Sequence, residues 1–246
     1  MLRKIVITAL LLFVTQALFV TQVQAGSECQ TTLKDDIIVT PESVQVIGEN
    51  GNLKILPDGS VFRNGKALLP NADQRSKAKQ YQQLVRQDLP WVKKEALSHL
   101  AGARQALDKV VAETMGKDSN IRVRLTQLES GLNKQIDKVL ETRPNGITFN
   151  YQAIKQAETE GQSLIQQSLG GILQDSINEM SRKTSNQNGD GKQMLMSFLG
   201  GLGGVQNGFD AEWKKQEKEL KRFRGEVCNK ADKLEQLRTN LLNSIN

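Results

Sequence analysis

The stretch 210-DAEWKKQEKELKRFRGEVCNKADKLEQLRTNLLNSI-245 decides the fold. Trp213, Leu220, Val227, Leu234 and Leu241 are each seven residues apart, and Phe223, Ala231, Leu237 and Ile245 fall three or four residues further on. These residues make one narrow apolar stripe along a helix of roughly 50 Å, at about 1.5 Å per residue. A helix striped in this way needs a partner to cover it. The same stretch holds Cys228, and the only other cysteine is Cys29, near the opposite end of the chain.

At that opposite end Arg3 and Lys4 precede an apolar run from Ile5 to Val20, and Val23-Gln24-Ala25 places small residues where a signal peptidase needs them. This pattern predicts a cleaved secretory leader over 1–25. The alternative, a membrane anchor, is disfavoured because about 16 residues interrupted by Thr8, Thr15 and Gln16 fall short of the ~20 of a spanning helix. No later segment is long and apolar enough to span, so the mature chain is expected in the periplasm. In that oxidising compartment Cys29 and Cys228 read as one intramolecular disulfide, with a free thiol or an intermolecular bridge as the alternatives.

The leader carries two basic residues and no acid, so its removal lowers the net charge from +6 to +4. A nucleic-acid binder concentrates basic and stacking aromatic side chains in one patch; aromatics here are 4% of the chain and charges alternate in sign, which argues against nucleic acid.

Between Ile37 and Leu69 the apolar pattern has period two, at Ile37–Val39, Val44–Ile47, Leu53–Leu56 and Val61–Phe62. Turn residues interrupt it at Glu49-Asn50-Gly51-Asn52, Pro57-Asp58-Gly59 and Asn64-Gly65. We expect an antiparallel meander of four or five short strands, too small to be stable without packing on helices. After Pro70 helical spacing takes over. Asn71 caps a helix to about Leu89, Pro90-Trp91 opens a second to Met115, Gly116 ends it, and Asp118 or Ser119 caps a third to about Thr142. Pro144-Asn145-Gly146 is a break, and a fourth helix runs from about Asn150 to Arg182 with a bend or interruption expected near Gly170-Gly171.

The fold class is therefore α+β, a small N-terminal antiparallel β-meander packed on a bundle of long antiparallel α-helices. Its expected divisions are the leader 1–25, the meander 26–69, the helical bundle 70–183, a mobile polar loop with a glycine-rich apolar segment 184–209, and the long C-terminal helix 210–246.

Three stretches carry a resemblance: Val44-Gln45-Val46-Ile47-Gly48-Glu49-Asn50-Gly51-Asn52-Leu53, Gly170-Gly171-Ile172-Leu173-Gln174-Asp175-Ser176-Ile177-Asn178-Glu179-Met180, and Glu212-Trp213-Lys214-Lys215-Gln216-Glu217-Lys218. On these the chain resembles the YggN-like family of uncharacterised exported proteins of Gram-negative enterobacteria, over most of its mature length. The resemblance implies export and a shared fold, and it carries over no catalytic or binding residue.

The residue chemistry is sparse. His99 is the single histidine, so a multi-histidine metal site is excluded, and its place beside the Ala96–Leu100–Ala103 stripe suits packing better than catalysis. With both cysteines bridged, no thiolate remains as nucleophile or metal ligand. Ser76-Lys77-Ala78-Lys79 matches the Ser-x-x-Lys of penicillin-binding proteins, and Lys183-Thr184-Ser185 is a partial match to their Lys-Thr-Gly, but the second opens a polar loop where those enzymes need a strand. Gly200-Gly201-Leu202-Gly203-Gly204 lacks the strand and lysine of a phosphate loop, and Asp35-Asp36 read as solvated loop acids. No cofactor or metal is expected.

Two features survive as a candidate contact surface. One is Met194, Met196, Phe198 and Leu199 beside glycines, whose soft side chains suit an adaptable surface; the alternative is a short helix filling the bundle. The other is Trp213 with the basic run Lys214, Lys215, Lys218, Lys221 and Arg222, for which the alternative is an ordinary solvated face. The expected function is a periplasmic binding module contacting an envelope protein or anionic lipid. The competing class is a carboxylate-dependent hydrolase of envelope material, and the oligomeric state is left open.

Overall fold

The computed structural model describes residues 29, 33–49, 51–185 and 191–245, excluding the side chains of 114, 173, 177, 180–213 and 245. The expected leader, 1–25, and the centre of the expected polar loop, 186–190, lie outside the described residues. Seven strands and four helices follow in order: β1 (Asp36–Val39), β2 (Val44–Gly48), β3 (Gly51–Ile55), β4 (Val61–Arg63), β5 (Lys66–Ala67), α1 (Ala72–Thr114), α2 (Asn120–Val139), β6 (Leu140–Arg143), β7 (Gly146–Phe149), α3 (Ala153–Ser185) and α4 (Gly191–Ile245). The architecture is α+β. Among the described residues no helix is long and apolar enough to cross a membrane.

The described chain forms two compact units, one made of 97–134 and 159–221, the other of 33–96, 135–158 and 222–245 with Cys29. The second unit contains the sheet, ordered β5-β4-β3-β2-β1-β7-β6 and antiparallel throughout. Period two sends Ile37, Val39, Val44, Val46, Leu53, Ile55 and Val61 to one face, where Tyr81, Val85 and Leu89 of α1 and Leu234 and Leu241 of α4 complete the core. The meander thus has five strands. It is extended by a hairpin that the sequence reading did not assign: β6 takes the place of the expected end of the third helix, β7 follows the expected break at Pro144-Asn145-Gly146, and Ile37 pairs with Phe149 across the junction with β1.

Helix ends follow their caps. Asn71 and Gln74 exchange bonds, the Gln74 amide donating to Asn71 Oδ1 at 3.0 Å and the Asn71 amide to Gln74 Oε1 at 2.7 Å. Ser119 Oγ accepts from the Ile121 amide at 3.3 Å. Three expected breaks are absent. Pro90 lies inside one 43-residue helix. It removes only its own amide bond, and Leu89 and Val92 on either side of it pack into the sheet core. α3 runs unbroken through Gly170-Gly171, and α4 begins at Gly191, ahead of the expected start at Asp210.

The other unit is held by apolar clusters and ion pairs. Met115, Ile121 and Leu125 form one cluster; Leu128, Leu132 and Ile165 form another. Arg122 of α2 grips Asp108 of α1 through two bonds of 2.8 Å, and Arg124 of α2 bonds Asp175 of α3. A side chain at Gly171 would stand 2.3 Å from the Arg124 guanidinium, so glycine there leaves room for this pair.

Candidate functional site

The residue pattern of α4 segregates charge. At about 100° per residue, Lys221, Lys214, Lys218 and Lys215 fall within an arc of about 120° and along about 11 Å of axis, with Glu217 and Glu219 at its edges. All four lysines are exposed. Lys221 pairs with Glu217 at 2.9 Å yet keeps 70% of its side chain in solvent, so the pair is weak and open to exchange. Lys214, Lys215 and Lys218 carry no ion pair among the described residues. Arg222, the next residue along, reaches Glu226 at 3.6 Å. Met194, Met196, Phe198, Leu199 and Trp213 lie on the backbone of α4, but their side chains are outside the described residues.

The buried acids have a different role, which the sequence reading missed. Asp35, expected to be a solvated loop residue, is buried and pairs with Arg238, whose guanidinium also binds Glu235 at 2.8 Å. Burial alone would lower the Arg238 guanidinium, but Glu235 and Asp35 hold it above its ordinary value. Its neighbour Tyr81 is fully buried, and desolvation pushes the phenol up. Asp36 lies in β1 and accepts the Tyr151 amide at 2.7 Å. Asp88, also buried, holds Lys230, whose ammonium sits 4.7 Å from the Trp91 ring centroid. Asp108 and Asp175 are held below the usual carboxylate range by the hydrogen bonds of Arg122 and Arg124. Nothing in local sequence marks Asp35, Asp88 or Asp175, because their cations lie 203, 142 and 51 residues along the chain, whereas Asp108 also has Arg104 one turn away.

Cys29 and Cys228 form a disulfide across a sequence separation of 199, with Cα atoms 5.0 Å apart. His99 is half-buried on α1, and Ser76 and Lys79 are exposed on the same helix. Among the described residues no three His, Cys, Asp or Glu side chains are grouped to hold a metal ion.

Fold and site define an α+β protein whose last helix is fixed by a disulfide and buried ion pairs and bears an exposed lysine face. A family model described as "Protein of unknown function (DUF2884)" matches residues 29–246, and the chain belongs to that family. It is 45% identical over 247 residues to the uncharacterized protein YggN of Escherichia coli strain K12, covering 100% of both chains. The same values hold for the YggN proteins of E. coli O6:H1 strain CFT073 and of E. coli O157:H7. No solved structure matches the chain.

Proposed function

We propose that the protein is an exported module of the bacterial envelope that acts by binding and not by turnover. The leader 1–25 delivers it to the periplasm, and the lysine face of α4 engages an anionic partner. The observation that carries this reading is the segregation of Lys214, Lys215, Lys218 and Lys221 on one exposed arc. The Cys29–Cys228 disulfide suits an oxidising compartment. Arg222 stands at the C-terminal end of this face.

A carboxylate-dependent hydrolase has less in its favour. General acid chemistry near neutral pH needs a carboxyl raised by burial, whereas Asp108 and Asp175 are held low by Arg122 and Arg124, and Asp35 and Asp88 are each engaged in an ion pair.

The test is a photoreactive side chain placed at Lys218 in living cells, with one at the exposed Lys54 of β3 as control. We expect processing before Gly26, seen in the intact mass of periplasmic protein, and a crosslink to an envelope component from position 218 and not from 54. An unprocessed chain, or equal crosslinking from both positions, overturns the proposal.

A further inference from the structure

We infer that the partner of the lysine face is the anionic headgroup surface of a phospholipid bilayer. The inference rests on the binding role proposed above and names its ligand. The composition of the face separates a lipid surface from a protein one. Stable protein interfaces centre on aromatic, Met and Arg anchors seated in pockets, and lysine is depleted from their cores. Between Lys214 and Lys221 the arc contains lysine alone and no apolar or aromatic side chain.

Lysine suits a fluid array of phosphates better than arginine does. Its ammonium is a rotatable point charge that follows a mobile anion, whereas the guanidinium fork rewards a fixed bidentate geometry. Where this molecule fixes a carboxylate it uses that fork: Arg122 meets Asp108 with both nitrogens at 2.8 Å, and Arg238 meets Glu235 in the same way. The lysine face has no such fixed pairs. The Glu217–Lys221 pair leaves 46% of the glutamate and 70% of the lysine side chain in solvent, so Lys221 can exchange its carboxylate for a phosphate.

The polar continuation of the arc limits the footprint. Beyond Arg222 the same side of α4 carries Gly225, Asn229 and Asp232 before Lys233, so the unbroken run of lysines is confined to about 11 Å of helix. Binding of this kind is weak, reversible and salt-sensitive, because each basic side chain near an anionic leaflet raises partition about fivefold.

The experiment is co-sedimentation of the oxidised mature chain with phosphatidylglycerol–phosphatidylcholine vesicles, with pure phosphatidylcholine vesicles as the neutral control. Bound fractions are read at about 0.05 M and about 0.5 M salt, where the screening length falls severalfold. We expect binding to the anionic vesicles alone, at least tenfold weaker at high salt. In Lys214→Glu/Lys215→Glu/Lys218→Glu the loss at low salt is about a hundredfold. The matched variant Lys54→Glu/Lys66→Glu/Lys94→Glu has the same net charge and alters exposed residues elsewhere, so it should retain most binding. No binding to anionic vesicles at low salt, equal binding to neutral ones, equal loss in both variants, or abolition by inorganic phosphate at matched ionic strength overturns the inference. If position 218 crosslinks an envelope protein while vesicle binding is absent, the lipid assignment falls and the binding role stands.

Discussion

Arg238 shows how a single side chain sets the character of its surroundings. It is largely buried, and it answers two carboxylates at once, Asp35 ahead of β1 and Glu235 one turn back on α4. Removing the cation strands both acids beside the buried Tyr81, whereas removing Asp35 leaves the Glu235 pair intact. We therefore expect Arg238→Met to destabilise the sheet-containing unit by about 3–5 kcal/mol and Asp35→Asn by clearly less. Urea unfolding of the two variants decides it, and equal losses would show that the pair with Asp35 carries the whole effect. Asp35 also shows why side-chain roles were hard to read from sequence. Two adjacent acids before a strand look like a solvated loop, and the residue that buries one of them is 203 positions away.

At the scale of elements, sequence was informative wherever the signal was local. Caps at Asn71 and Ser119 and the period-two meander depend on neighbours within a few residues, and the structure places helix starts and strands accordingly. What escaped were outcomes decided by distant packing. Pro90 and Gly170-Gly171 ought to interrupt helices, yet Leu89 and Val92 are tied into a core built by the sheet, and Leu169 and Ile172 pack on the apolar clusters of the other unit. The β6–β7 hairpin is a stronger case: Pro144-Asn145-Gly146 marks a turn, but its use depends on β1, about a hundred residues upstream. Gly146 is where this hairpin meets β1. With φ at +154°, a methyl group there would stand 1.8 Å from the Val39 carbonyl oxygen, a backbone atom that cannot turn aside. Gly146→Ala is expected to cost more than about 3 kcal/mol. Amide exchange should lose protection in β1 and β7 first; unchanged protection would mean that the β1–β7 junction is not tightly fixed.

On the scale of the whole molecule, the lysine face was legible because helical periodicity alone brings Lys214, Lys215, Lys218 and Lys221 together, while the anchoring of 222–245 of α4 was not, because its partners lie far along the chain. There four ties converge: the disulfide at Cys228, Lys230 on Asp88, Arg238 on Asp35, and Gln74 donating to the Ser244 carbonyl. Only the first is covalent. In the chain-entropy account, a bridge across 199 residues restricts the unfolded chain and stabilises the fold by at most about 5 kcal/mol. Both cysteines belong to the sheet-containing unit, and no disulfide joins 97–134 to 159–221. Replacing Cys29 and Cys228 together by Ser should therefore lower the thermal midpoint of the sheet-containing unit while far-UV ellipticity at 25 °C stays within error, since the three non-covalent ties persist. Amide exchange separates local from global loss. Opening free energies should fall for β1 and for 222–245 of α4 and remain unchanged for Ile121, Leu125 and Leu128 of α2. An equal fall at those three amides would show that the units unfold as one cooperative body, and that the bridge stabilises the entire chain.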